Sequence, residues 1–260
     1  MINKNSIIHQ DAQVSSTAEI GPYVVIGPNV KIGANVIVHS HVSISGDTSI
    51  DDNCKIFPFA SIGNDPQDLK YKGEKTKLVI GKKNIIREYV TINPGTKGGG
   101  GITKIGNNCL FMISSHIAHD GKIGNNVVIA NNVPIGGHGI IEDDVVIGGN
   151  AAVQQFARVG KMAMIGGMTG VTSDVIPYGL SIGNRNYLEG INIIGLRRKN
   201  VANKDILTLT SAYKEIFKTK HLNENLKKLN GDFKNNKLVN EVVDFIIKDK
   251  KRPICTPFTK

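Results

Sequence analysis

EIGPYVVIGPNVKIGANVIV, residues 19–38, holds four aliphatic residues spaced six apart: Ile20, Ile26, Ile32 and Val38. Read outward, the same phase starts at Ile8 and Val14 and continues through Ile44, Ile50, Ile56 and Ile62. It returns at Ile80, Ile86 and Ile92, slips by one residue, and then runs from Ile105, Phe111 and Ile117 to Ile165 and Val171. Neither a helix, at about 3.6 residues per turn, nor a simple strand, at about 2.0, keeps a strict period of six. A coil of short β segments does. Each hexad supplies one strand with its aliphatic residue inward, and three hexads close a triangular turn of about 18 residues. Successive turns then hydrogen-bond as parallel strands about 4.8 Å apart. Gly follows the inward residue in many hexads, as in Ile20-Gly21, Ile105-Gly106 and Ile147-Gly148. The corner, where positive φ is expected, is assigned to Gly or Asn.

Composition agrees with a regular aliphatic scaffold. The chain has 29 Gly against 9 Pro and no Trp, and its 40% hydrophobic content excludes disorder. No apolar run approaches the ~20 residues of a membrane span, and the opening MINKNSIIHQ lacks an apolar signal core, so a cytoplasmic protein without an integral membrane segment is expected. Cys54, Cys109 and Cys255 are odd in number and show no CxxC spacing, which argues against disulfides and thiolate zinc. The net charge of +10 is concentrated at one end: residues 197–260 hold 16 Lys and Arg against 7 Asp and Glu. That end reads either as a docking surface for something acidic (nucleic acid, anionic lipid or an acidic carrier protein) or as a solvated helical face.

Two breaks in the period predict loops, at 64–79, where Asp68 and Glu74 occupy aliphatic positions, and at 93–104, which is polar and glycine-rich. The Gly run is not a phosphate loop, because no GKS or GKT follows it. From about residue 203 the spacing turns helical, with Ile206, Leu209, Ile216, Leu222, Leu226, Leu238, Val242 and Phe245. The expected organisation is a β-coil over 1–185 and a basic α-helical C-terminal domain over 186–260.

The period also places polar residues. His119, Gly137 and Gln155 are 18 apart and stack on one edge, as do Asp120 and His138, while His116 precedes inward Ile117 and faces outward. A surface cluster is expected. A His-Asp pair beside a free Gly N–H has the parts for acyl transfer: a base for a hydroxyl proton, a carboxylate to orient it, and a donor for a tetrahedral oxyanion.

The hexads resemble those of the hexapeptide-repeat acyltransferases, which implies a left-handed parallel β-helix and a homotrimer. Five segments narrow the resemblance: ASIGNDPQDLKYKGE (60–74), IREYVTINPGT (86–96), GGGGITKIGNNCLFMISSHIAHD (98–120), GLSIGNRN (179–186) and GINIIGLRRKN (190–200). They are similar to the UDP-N-acetylglucosamine O-acyltransferases that begin lipid A biosynthesis. The resemblance implies transfer of a 3-hydroxyacyl chain from acyl carrier protein to UDP-N-acetylglucosamine, without cofactor, metal or nucleic acid. It implies His119 as general base, Asp120 as its orienting partner and the Gly137 N–H as oxyanion donor. Asp68, Lys70 and His116 would contact the sugar or its phosphates, and His138 and Gln155 would line the cleft. Asn192, Arg198 and Lys199 would hold the nucleotide diphosphate, and Gly167, stacked with Asn131 and Gly149, would bound the acyl groove between subunits. Asn93 and Gln154 stand where His is common, Ile194 replaces a Glu and Lys199 an Arg; these departures bear on whether the acceptor offers a 3-hydroxyl or a 3-amine.

Three other readings compete. A related N-acyltransferase would carry a domain before the repeats, whereas these begin near residue 8. A metal enzyme using histidines across a trimer face would account for the histidines but not for HIAHD, QDLKY and the basic helices together. A β-helical binding protein would need a repeated Thr array, which the faces lack.

Overall fold

The computed structural model describes residues 1–229, 231–248 and 251–258. Its strands, most of them two residues long, pair in parallel with the strand three further along, giving sheets of nine, eight and ten strands among the described residues. The architecture is a left-handed parallel β-helix with a short helical region at its C-terminal end.

Within the prism, Ile26, Ile44, Ile62, Ile92, Ile117 and Ile135 form an inward column that is almost fully buried. A second inward column, two places earlier in each hexad, went unread in the sequence: Val24, Val42, Ala60, Val90, Ser115 and Val133 are also buried. These residues are smaller because they fill the narrowing corners, where a large side chain would force the wall apart.

Apart from Gly63, which opens the first excursion at φ +74°, the glycines that follow the inward residues do not take positive φ. The positive-φ corner falls three places after the inward residue, on Asn as expected at Asn53 and Asn126, and also on Asp120, His138 and Phe156. The repeat glycines instead permit close approach of neighbouring coils. A Cβ at Gly106 would lie 2.4 Å from the Gly124 oxygen, and one at Gly148 would lie 2.5 Å from the Gly167 nitrogen.

Both excursions are shorter than expected. Lys77–Ile80 pairs with Asp47–Ile50 on one side and Ile102–Ile105 on the other, so residues 64–76 and 93–101 leave the coil. The strands start early because Leu78 and Thr103, both buried, occupy the second inward column.

The last coil is closed by Gly179–Ile182, parallel to Met164–Ile165, and by Tyr187–Ile191 turning back antiparallel. Strand therefore extends beyond 186, and the helices are α1 (Ile193–Arg198), α2 (Asn203–Ile216), α3 (Leu222–Lys228), α4 (Asp232–Asn235) and α5 (Lys237–Ile247). Asn236 caps α5, its side chain accepting from Leu238 N and Val239 N. Beyond α5 the chain returns to the prism as a strap. Asp174 N donates to Pro253 O and Cys255 N to Asp174 O, both at 2.8 Å. Beneath the strap, buried Arg158 donates through Nε to Asp174 Oδ2 at 2.7 Å and its guanidinium lies over the Phe245 ring of α5.

Candidate functional site

One edge of the prism carries the histidine cluster. Pairing of Thr91 with His116, and of His116 with Pro134, fixes one face; Lys122 beside Ile140 fixes the next; the corner between them bears His119, Asp120, Gly137 and His138. The turn geometry is generic to the scaffold, so the corner offers fixed positions and the sequence fills them.

His119 Nδ1 lies 2.8 Å from Asp120 Oδ2. Asp120 is not on the surface as expected: it is 3% exposed, because the 93–101 excursion folds over it. Its Oδ1 accepts Thr96 N at 2.9 Å, its Oδ2 accepts the Thr96 hydroxyl at 2.6 Å, and its own N–H donates to Thr103 Oγ1 at 2.8 Å. Gly99 completes the roof, since a Cβ there would lie 1.9 Å from Asp120 Cγ. With Asp120 accepting, Nδ1 is the donor and Nε2 keeps its lone pair. Nε2 faces the next coil, where a Cβ on Gly137 would lie 2.7 Å from it. Among the described residues the Gly137 N–H has no hydrogen-bond partner.

His138 is edge-on to His119, with ring centroids 5.1 Å apart, and stacks on Phe156 at 4.4 Å. Burial lowers its pKa below the usual histidine value; the Asp120 and Asp68 carboxylates oppose this, while His119 and Lys251 add to it. His116 is lowered too, by burial and then by His119, against a hydrogen bond to the Thr91 backbone; its Nδ1 also lies 2.7 Å from Thr91 Oγ1. Both shifts favour the neutral ring, which can both donate and accept a hydrogen bond.

Asp68, half-buried on the 64–76 loop, is near enough for its charge to be felt at His138, and exposed Lys70 follows it. Exposed Gln155 continues the column, its carbonyl accepting Arg252 Nε at 3.0 Å. The remaining candidates lie elsewhere on this chain. Asn192 caps α1 and donates to Met162 O at 2.9 Å, and Lys199 Nζ holds Asp144 Oδ1 at 2.6 Å, so with exposed Arg198 they gather at the corner of Asp144 and Met162, one face away. Gly167 stacks on Gly149 at the third corner, where Met168 N donates to Gly149 O at 3.0 Å. Thr96, Thr103, Phe156 and Lys251 were absent from the sequence reading; the polar GT-x-GGGG run next to a period break was the only signal for the first two.

The ring nitrogens of His119 and His138 and the Asp120 oxygen lie within 4.8 Å of one another, a spacing that would admit a metal ion. A cation there would compete with the protons of Thr96 and His119 that Asp120 already accepts. The arrangement brings an imidazole nitrogen, a carboxylate that fixes its ring and a free N–H around one point, groups that could together move an acyl group onto a hydroxyl or amine.

A family model described as "Udp N-acetylglucosamine O-acyltransferase; Domain 2" matches residues 174–255, and the GMPPB C-terminal domain model matches residues 2–57. The chain is 46% identical over 208 residues to an acyl-[acyl-carrier-protein]–UDP-N-acetylglucosamine O-acyltransferase of Paracoccus denitrificans, covering 78% of this chain and 77% of that protein. The solved UDP-N-acetylglucosamine acyltransferase of Francisella novicida superposes with a TM-score of 0.94 at 37% identity, over 98% of this chain and 94% of that one. That of Campylobacter jejuni gives 0.93 at 36% identity, over 99% and 100%.

Proposed function

The chain belongs to the acyl-[acyl-carrier-protein]–UDP-N-acetylglucosamine O-acyltransferases, and from that membership we propose that it moves a 3-hydroxyacyl chain from acyl carrier protein to the 3-position of UDP-N-acetylglucosamine, opening lipid A biosynthesis, with His119 as general base. The observation that carries the residue assignment is His119 held by Asp120 at 2.8 Å with a free Gly137 N–H against its far side.

Nε2 of His119 takes the proton of the acceptor as its oxygen, or nitrogen, attacks the thioester carbonyl. The resulting oxyanion is met by the Gly137 N–H, already fixed by the coil and needing no reorganisation. The C–S bond then breaks, and the proton on Nε2 passes to the departing thiolate. Asp120 holds the ring orientation and the tautomer, and its burial beneath Thr96 and Gly99 keeps water from competing for that carboxylate. His116, Asp68 and Lys70 contact the sugar and its phosphates; His138 and Gln155 line the cleft.

The face between the His119 edge and the Gly167 edge carries small outward residues, Pro134, Ala152 and Gly170, which leave a shallow path for an acyl chain. Gly167 closes that path and admits a long chain. Asn192, Arg198 and Lys199 hold the diphosphate, Lys199 leaving Asp144 to do so.

The working unit is a homotrimer. Two corners of a triangular section point away from each other, so the Asn192–Lys199 corner of one chain meets the His119 edge of a second. Leu69, fully exposed at the tip of the 64–76 loop between Asp68 and Lys70, gains a cover in the same way. Among the described residues no helix is long and apolar enough to cross a membrane. The reaction takes place in the cytoplasm, where carrier thioesters and nucleotide sugars are supplied.

Incubating the purified protein with 3-hydroxyacyl carrier thioesters and UDP-N-acetylglucosamine, then weighing the product by mass spectrometry, tests the reading. Addition of one acyl group to the nucleotide sugar supports it; free acid alone, or no consumption of thioester, sinks it.

A further inference from the structure

Beside the histidine edge, the face built from Ile102–Ile105, Lys122–Ile123, Ile140–Ile141 and Arg158–Val159 carries an outward column of Lys104, Lys122, Ile140 and Arg158, each in register with the next. A cavity of about 270 Å³ opens there, lined by Gly99, Asp120, Lys122, His138, Ile140, Phe156, Arg158 and Lys251. Its floor is apolar, formed by Ile140 and Phe156. Of its charges, Asp120 is spent on Thr96 and His119, and Arg158 on Asp174. Lys122 and Lys251 remain, and among the described residues neither ammonium has a carboxylate within ion-pair distance.

Lys251 does not arrive there by chance of a loose tail. The strap is stitched on by Arg252 Nε to Gln155 O, by both backbone bonds to Asp174 and by a bridge of Leu188 to Pro257. This anchoring sets Lys251 Nζ 4.6 Å over the Phe156 ring, whose other neighbour is His138. A half-buried aromatic floor, two ammonium groups without a carboxylate partner among the described residues and a position two rings from His119 describe a receptor for an anion covalently tied to the reacting group.

We propose that Lys251, together with Lys122, binds a phosphate carried by one of the two substrates, placing it on the Phe156–Ile140 floor while the reacting atoms lie at His119. Both substrates in the reading above bring phosphate: the donor through its phosphopantetheine arm, the acceptor through its diphosphate. The proposal rests on that reading for its source of phosphate, but not for the binding itself.

The test combines Lys251→Met, Lys251→Arg and Lys122→Met with two measurements: steady-state kinetics on both substrates, and calorimetric binding of pantetheine 4′-phosphate and of UDP to the full-length protein. Loss of one charge-assisted contact is expected to raise KM for one substrate about ten-fold with kcat changed less than about three-fold, Lys251→Arg restoring it. The Kd of the matching probe should weaken by the same factor. Weakening for pantetheine 4′-phosphate assigns the donor, and weakening for UDP the acceptor. Unchanged Kd for both probes in Lys251→Met and Lys122→Met overturns the proposal, as does a fall in kcat with KM and Kd intact. Lysine-dependent binding by a protein that transfers no acyl group would sink the proposed reaction and leave the phosphate site standing.

Discussion

At the scale of single residues, His119 carries the sharpest expectation. Its side chain is only 15% exposed but projects from a corner, outside the aliphatic column, so its loss opens no cavity in the core. His119→Ala should lower kcat by about 10²- to 10⁴-fold, the usual worth of a positioned general base, with an unchanged thermal unfolding midpoint. A folded variant with near-native turnover would remove the assignment. Gly167 offers a separate test. A Cβ there would sit 3.2 Å from the Gly149 oxygen, so a side chain fits with a small shift. Gly167→Met should turn a preference for long donors into one for ten-carbon donors, since each buried methylene is worth about 0.8 kcal/mol. Competition between thioesters of different length, read by mass spectrometry, would show an unaltered profile if the groove ends elsewhere.

The elements show why some of the site was legible in the sequence and some was not. A period of six fixes which residues point inward, and three periods fix which stack, so the column of His119, Gly137 and Gln155 could be read by counting. Thr96 and Thr103 escaped because they reach Asp120 across the second excursion, where counting stops. Lys251 escaped for a different reason: it comes from the strap, whose route depends on the buried Arg158–Asp174 pair and not on any repeat. That pair gives the prediction at this scale. Asp174→Ala leaves Arg158 charged and buried without its carboxylate and orphans the Arg158 backbone N–H, while the backbone bonds to Pro253 and Cys255 remain, which should cost about 3–5 kcal/mol in urea unfolding. Activity should fall further than stability alone explains if the strap bears on the site. A cost below about 1 kcal/mol would mean that water reaches the pair and solvates it.

For the whole molecule, the separation of the His119 edge from the Asn192–Lys199 corner makes assembly testable. Co-refolded chains carrying His119→Ala and Arg198→Ala should regain about a quarter of native activity if each site is shared by neighbours in a closed ring, and nothing if each chain is self-sufficient. The core makes a prediction about pH. Burial pushes the Cys54 and Cys109 thiols from 9.0 to about 11, and the Cys255 thiol to about 12. Unfolded thiols ionise first, so these groups favour the folded state fully below pH 9, and that contribution is lost as pH climbs through the folded values. Unfolding free energy should therefore decline between pH 9 and 11, by about 3 kcal/mol for each of Cys54 and Cys109 at most. Cys54→Ala should flatten the slope; a slope unchanged by that substitution would place the alkaline sensitivity in other groups.

The excursions leave the ladder undisturbed. Ile50 pairs with Ile80, and Ile80 with Ile105, although the separations depart from the usual three hexads. Extra chain is thus expelled sideways between two rungs, and every rung above and below keeps its partners. In evolutionary terms the protein can lengthen or replace the segments that roof Asp120 and present Asp68 without renegotiating its core. Inheritance of the prism and innovation at the edge are separable, so lineages with different sugars or chain lengths are expected to differ in the two excursions and the strap long before they differ in the hexads.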